Sequence, residues 1–288
     1  MALGSDLAVA ILNGVTWGLI VALIALGLNQ IYGLLEIVNM AHGSLYMLGA
    51  VIGWFMIDAT GSFGAALLVA PLAVGVIGMT VERTILRPIE DDLTITLIAT
   101  FGLLLIFDHL ALMTFGPGTR SVSAPVGGTV SFAGISYSKY RLVVGVVSIV
   151  LMVCLYLFLF RTRYGTWMRG VRQDRETASA LGIPTSKVFV FTFGLGSFLA
   201  ALAGVLLAPI VSVGHLMGLD ILAVAFMVVI VGGLGSLRGV LVASLIYALV
   251  ENVSSLFMTP IEARILTFAL MIAFVLVRPD GIFRGASA

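Results

Sequence analysis

Long apolar stretches, most of them close to the length of a bilayer crossing, alternate with short polar segments along this chain. Apolar runs occupy residues 7–28, 39–57, 63–82, 93–113, 142–160, 188–209, 220–234, 239–258 and 262–278. A helix needs about 20 apolar residues to cross a hydrocarbon core of roughly 30 Å. Most of these runs therefore predict a transmembrane helix. The run at 220–234 is short and ends in glycines, and only the mildly polar Asn29-Gln30-Ile31-Tyr32-Gly33 joins the first two runs. The pattern predicts an all-α, polytopic integral membrane protein with about eight to ten transmembrane helices, some of them discontinuous. It reads as a single transmembrane domain over residues 1–288.

Two connecting segments are long enough to carry structure. The 114–141 loop is rich in Gly, Ser and Pro and leans towards β structure, which predicts a small extracytoplasmic hairpin or cap. The 161–187 loop instead holds a polar, helix-forming stretch from Arg169 to Leu181. Gly182 reads as its stop, with Pro184 close behind.

Composition excludes the soluble alternatives. Hydrophobic residues make up 60% of the chain and charged residues 10%, against roughly 45–50% and 25% in soluble domains. The mean hydropathy is +1.18. A disordered chain, a nucleic-acid binder and a disulfide scaffold are all ruled out; the one cysteine, Cys154, lies inside an apolar run. The first basic residue is Arg83, so no positively charged leader precedes the first run, which reads as a retained span.

The distribution of charge gives an orientation. Alternate crossing places Arg83, Arg87, Arg161, Arg163, Arg169, Arg172, Arg175, Lys187, Arg238, Arg278 and Arg284 on one side. The other side holds Arg120, Lys139, Arg141 and Arg264. Basic loops stay in the cytoplasm, so the 161–187 loop and the C-terminus are expected there and the N-terminus outside.

Catalytic signatures are missing. None of His42, His109 and His215 belongs to an HExxH pattern, no GxxxxGK[ST] phosphate loop occurs, and no Ser/His/Asp grouping stands out. The glycine-rich Gly233-Leu234-Gly235-Ser236-Leu237-Arg238-Gly239 does not match GxGxxG and lies between two apolar runs, so it reads as a helix break. No catalytic centre, metal site or ATP site is expected in this chain. Uphill transport would draw on an ion gradient or a partner.

Two polar segments carry the candidate chemistry. In Gly33 to Ala50, the residues Glu36, Asn39 and His42 recur at i, i+3, i+6 and would share a face if the segment were helical. Ionisable groups at membrane depth normally face a cavity or a partner. Gly33 and Gly43 bracket the segment, as suits a broken helix. The alternative is a span end, with Glu36 at the interface and Asn39 capping the next helix. The second segment, Arg163 to Pro184, is a short polar helix carrying small residues in the most basic loop. It reads either as a docking helix, with Ala178 and its neighbours leaving room for a partner, or as a solvated surface helix.

Both segments, in this order and separation, resemble the LivH-like permease subunits of bacterial ABC importers for branched-chain amino acids. Asn39-Met40-Ala41-His42-Gly43 is similar to that family's N-F-A-H-G stretch. Glu82-Arg83 through Arg87-Pro88, Ile98-Ala99-Thr100-Phe101-Gly102 and Val231 to Gly239 also look like it. The stretch from Arg172 to Ile183 resembles its coupling helix. Ser44 departs from the pattern, because an acidic residue is common after His-Gly; the departure bears on substrate choice.

The resemblance implies a permease in the bacterial inner membrane, paired with a second permease subunit, the same chain or a different one. It also implies two ATP-binding subunits that hold ATP and Mg, and a periplasmic solute-binding protein. No cofactor is implied in this chain and no nucleic acid is a partner. The solute would be a branched-chain or other hydrophobic amino acid, or a related small carboxylate or amide. The candidate pathway residues are Asn39, Met40, Ala41, His42, Gly43, Ser44, Thr100, Gly232, Gly233 and Gly235. The candidate ATPase-coupling residues are Arg172, Asp174, Glu176, Ala178, Ser179, Leu181 and Gly182. A stand-alone secondary transporter or channel is the alternative; it needs intramembrane charge, for which Glu36, Asp108 and Glu251 are candidates, the last two read as lying near span ends.

Overall fold

The computed structural model describes residues 2–132 and 135–283; Arg284, placed on the cytoplasmic side above, lies outside them. Every apolar run becomes a helix. These are α1 (Ala2–Leu35), α2 (His42–Thr60), α3 (Phe63–Val81), α4 (Leu93–Phe115), α5 (Lys139–Arg161), α8 (Thr185–Leu207), α9 (Met217–Gly232), α10 (Leu237–Ser254) and α11 (Pro260–Val277). Two short helices, α6 (Arg163–Gln173) and α7 (Arg175–Ala180), fill the 161–187 loop. Among the described residues eight helices are long and apolar enough to cross a membrane, and α9 is a shorter apolar one.

Polar residues just outside the apolar runs start the helices. Asp92 Oδ1 accepts from the Thr94 and Ile95 amides at 2.8 and 3.1 Å at the head of α4. Ser62 and Ser236 cap α3 and α10. Thr259 and Glu262 form a reciprocal capping box on α11. Each of these satisfies amides that have no partner inside the helix. At the other end of α2, Gly61 takes a left-handed φ of 67° and returns its N–H to the Ile57 carbonyl. In the 114–141 loop, β1 (Thr129–Phe132) pairs antiparallel with β2 (Ile135–Ser138), in register Thr129 to Ser138 and Phe132 to Ile135. The hairpin is the one expected from composition.

Helix α8 is the hub, buried along most of its length, and α1, α2 and α3 all pack on it. Lipid supplies no hydrophobic force between helices, so close approach at small residues carries the packing. Where α1 crosses α8, a Cβ on Gly27 or Gly196 would stand 2.7 Å from the other residue's carbonyl oxygen. Gly49 meets Ala201, Gly204 meets the Tyr46 carbonyl and Gly78 meets Ser197. On its other flank α1 seats Gly14 and Gly18 against Leu249 and Leu245 of α10.

Polar links separate into two ends. At one end Arg87 donates to the Ser186 carbonyl, Arg175 pairs with Glu90 at 2.6 Å, and Arg172 reaches the Gly235 carbonyl at 2.8 Å. At the other, Arg141 donates to Asn13 at 2.5 Å, Arg264 pairs with Glu251 at 3.1 Å, and Arg120 lies over the rings of Trp54 and Phe115. Each group holds arginines that the charge pattern expects on one common side.

Candidate functional site

The break between α1 and α2 is not a helical face. Helix α1 stops at Leu35, and Glu36 has a left-handed φ of 57°, strained for a non-glycine residue. Residues 36–40 then run without helical structure into the bundle before α2 begins at His42. The i, i+3, i+6 alignment of Glu36, Asn39 and His42 therefore does not form, because the backbone between them is not helical. Glu36 ends α1 exposed, while Asn39 and His42 are fully buried. Asn39 Oδ1 accepts from the Ala41 amide at 3.1 Å and shapes the turn into α2.

This turn lies inside the bundle. His42 Nε2 donates to the Ile24 carbonyl of α1 at 3.0 Å, and a carbonyl can only accept, so the proton is on Nε2. Ile24 lies about 16 Å along α1 from its end at Leu35. Thr100 Oγ1 donates to the Val38 carbonyl at 3.1 Å, tying the non-helical stretch to α4. Asn39 Nδ2 and His42 Nδ1 are buried with no hydrogen-bond partner among the described residues. Met40 is half-buried against the core and Ala41 is buried.

A second helix begins at the same place. After α8, residues 208–216 fold back, and Val213 exchanges two backbone hydrogen bonds with Arg120, each of 2.8 Å. Helix α9 then starts at Met217, and Gly218 abuts Gly43 of α2 backbone to backbone. Two helix N-termini meet here, and each carries a partial positive charge. Ser44 Oγ donates to Asp108 Oδ1 of α4 at 2.7 Å, and Asp108 is 6% exposed. Asp108 is thus about two turns inside α4 rather than near its end; Glu251 is near the end of α10, as expected.

The structure brings Asn39, Met40, Ala41, His42, Gly43, Ser44 and Thr100 together. It does not bring Gly232, Gly233 and Gly235 to them. These glycines form the α9–α10 turn, about 21 Å along α9 from Gly218. There Gly232 packs on Gly239, and Ile282 and Phe283 donate backbone N–H groups to the Val231 and Gly232 carbonyls at 2.8 and 3.4 Å. The turn is a helix break, as its sequence predicts, and chain segments pack tightly around it. Asp108 and Gly218 were missed as members of the interior junction. An acidic residue deep in an apolar run was the available signal for Asp108.

In the 161–187 loop the expected single helix is two. Asp174 breaks it with extended backbone and caps α7, accepting from the Thr177 amide at 2.9 Å and the Thr177 hydroxyl at 2.5 Å. Those two bonds hold the Asp174 carboxyl below its ordinary pKa. Gly182 stops α7 at φ 82°, with Ile183 N–H on the Ala178 carbonyl and Gly182 N–H on Ser179. Glu176, Ser179, Leu181 and Gly182 are exposed, Leu181 at 77%. Arg175, Glu176, Ser179, Ala180 and Thr185 line an open cleft. Ala178, expected on the open face, is 3% exposed and packs into the chain's own core. Arg172 keeps an exposed face but turns its guanidinium inward to the Gly235 carbonyl, where burial lowers its pKa. Among the described residues no cluster of His, Cys, Asp or Glu could hold a metal ion.

Known proteins are similar to this sequence along most of its length. The family described as branched-chain amino acid transport system / permease component matches residues 10–275. The high-affinity branched-chain amino acid transport system permease protein LivH of Salmonella typhimurium is 33% identical, over 94% of this chain and 93% of the relative. The corresponding BraD of Pseudomonas aeruginosa is 28% identical, over 94% of both chains. The L-arabinose ABC transporter permease protein AraH of Azospirillum brasilense is 28% identical, over 77% of this chain and 66% of that one.

Proposed function

This chain belongs to the branched-chain amino acid transport permease family, and from that premise we propose how it works and what it carries. It is a multi-pass membrane protein and a permease subunit of an ABC import system. Its solute is a branched-chain or similar hydrophobic amino acid, or a related small carboxylate or amide. The observation that carries this reading is the 33% identity to LivH over 94% of the chain.

ATP and Mg are bound by two partner ATPase subunits rather than by this chain. A second permease subunit, identical or related, completes the pathway, and a soluble binding protein delivers the solute. The protein lies in the bacterial inner membrane, with α6, α7 and the C-terminal segment in the cytoplasm; the excess of arginine at that end supports this orientation. The exposed residues Glu176, Ser179, Leu181 and Gly182 dock on an ATPase, with Asp174 shaping the helix that presents them. Asn39, Met40, Ala41, His42, Gly43, Ser44 and Thr100 shape the solute path where α2 and α9 begin. Half-helix N-termini inside a bundle suit the carboxylate of such a solute.

The test is co-purification of the tagged chain after gentle solubilisation, followed by reconstitution. Recovery of ATPase subunits and a second permease, with ATP-dependent leucine uptake into liposomes, is the expected result. A chain that purifies alone and transports without ATP overturns the reading.

A further inference from the structure

One residue, Gly235, ties the α9–α10 turn to two other parts of the protein through its two main-chain polar groups. The Gly235 N–H donates to Asn29 Oδ1 of α1 at 2.7 Å. The Gly235 carbonyl accepts from Arg172 Nη1 of α6 at 2.8 Å. Gly235 takes φ 80°, and a Cβ there would overlap the Arg172 guanidinium. The turn also lies close against α1 at Gly33, where a Cβ would come within 3.3 Å of Gly235 Cα. Asn29 is 1% exposed, so the main chain of Gly235 has one buried neutral partner and one charged partner. The charged partner is two residues before the Asp174 cap of α7.

We infer that Arg172 is a positioning residue that carries movement of the α6–α7 segment into the α9–α10 turn through the Gly235 carbonyl, with Asn29 holding the Gly235 N–H in the preceding peptide group. The inference rests on the reading of α6–α7 as the ATPase-docking segment. It reassigns Arg172 from direct contact with the partner to the link behind that contact. The bond is charge-assisted and the guanidinium is a rigid planar fork, so it transmits displacement better than a flexible ammonium would. Beyond the turn, α9 is one uninterrupted helix whose far end starts at Met217, with Gly218 against Gly43. Movement of the turn therefore reaches the interior junction through one rigid element. The second link of the segment, Arg175 to Glu90, leads elsewhere, to the α3–α4 turn, and its arginine is half exposed.

The test uses the complete transporter in liposomes, assayed for labelled leucine uptake per ATP hydrolysed. R172A is expected to assemble with the ATPase and hydrolyse ATP while uptake per ATP falls about tenfold, the scale of one charge-assisted hydrogen bond. R172K should recover little of it. A readout that structural weakening alone would not move is the distance between spin labels at Q173C and R238C, in a C154S background. It should stay constant through the ATP cycle in the parent and change with ATP in R172A. R172A with parental uptake per ATP and a constant label distance overturns the inference. If R172A does not assemble, N29A removes the other main-chain partner of Gly235 while leaving the docking segment intact. Loss of uptake per ATP in N29A, rescued in N29D, supports the link, and full uptake in N29A overturns it. A parent chain that never assembles with an ATPase instead sinks the docking reading itself.

Discussion

Gly43 and Gly218 lie on each other's backbones where α2 and α9 begin, so that a Cβ on either would overlap the other's carbonyl group. The contact joins two helices that both start inside the bundle. Neither backbone can withdraw freely, because His42 is bonded to Ile24 on one side and the 208–216 segment is pinned by the Arg120–Val213 pair on the other. Gly43→Ala or Gly218→Ala should therefore cost about 1–3 kcal/mol by overpacking. Thermal unfolding of the purified protein in detergent checks this. An unchanged midpoint in both variants would mean that the junction is looser than it stands here.

Ser44 and Asp108 should behave as a coupled pair. Removing the hydroxyl in Ser44→Ala leaves a buried carboxyl oxygen without its 2.7 Å donor, a loss of about 1–3 kcal/mol for an unsatisfied buried group. Asp108→Asn replaces the carboxyl by an amide, and the hydroxyl then matters less. A double-mutant cycle on stability should return a coupling of about 1 kcal/mol or more. Strict additivity would show that the two groups do not interact.

Ala178, on α7, and Leu181, just past its end, should respond in opposite ways. Ala178 is buried in the core, so Ala178→Trp should destabilise the fold. Leu181 is exposed, so Leu181→Glu should leave the midpoint within about 0.5 kcal/mol while reducing recovery of the ATPase in a pull-down. A Leu181→Glu variant that retains full ATPase binding would remove this residue from the docking face.

Asp174 gives the α7 helix a dependence on pH. Its carboxyl is held below the ordinary value by Thr177, so the folded pKa lies below the unfolded one. The stabilisation is then fully present above the ordinary carboxylate range and is lost as pH falls through the depressed value. Amide exchange at Thr177, corrected for intrinsic rate, should rise in that acidic window. Asp174→Asn, which keeps a capping oxygen but does not titrate, should flatten the response.

The positions of the helices, the hairpin in the 114–141 loop, the stop at Gly182 and the break at Gly233 to Gly239 were all legible in the sequence. Each follows from local chemistry: about 20 apolar residues for a crossing, a polar cap beside an apolar run, a glycine where the backbone must turn left-handed. The sidedness of the arginines was legible for the same reason, because each charge avoids the apolar interior by itself. Three features could not be read locally. Asp174 splits one predicted helix into two because its side chain bonds forward to Thr177 instead of leaving the backbone helical. Ala178 faces inward because α7 is pressed against the bundle, and a six-residue helix shows no periodicity that could reveal this. Asp108 joins Ser44 because α2 starts deep inside the protein, which follows from the path of 36–41 and from the close approach of Gly43 to Gly218. Span positions depend on the transfer of single segments from water, which composition along the chain determines. The depth of the two helix starts and the pinning of Gly235 depend on contacts between residues far apart in the chain, and only the packed bundle brings those residues together.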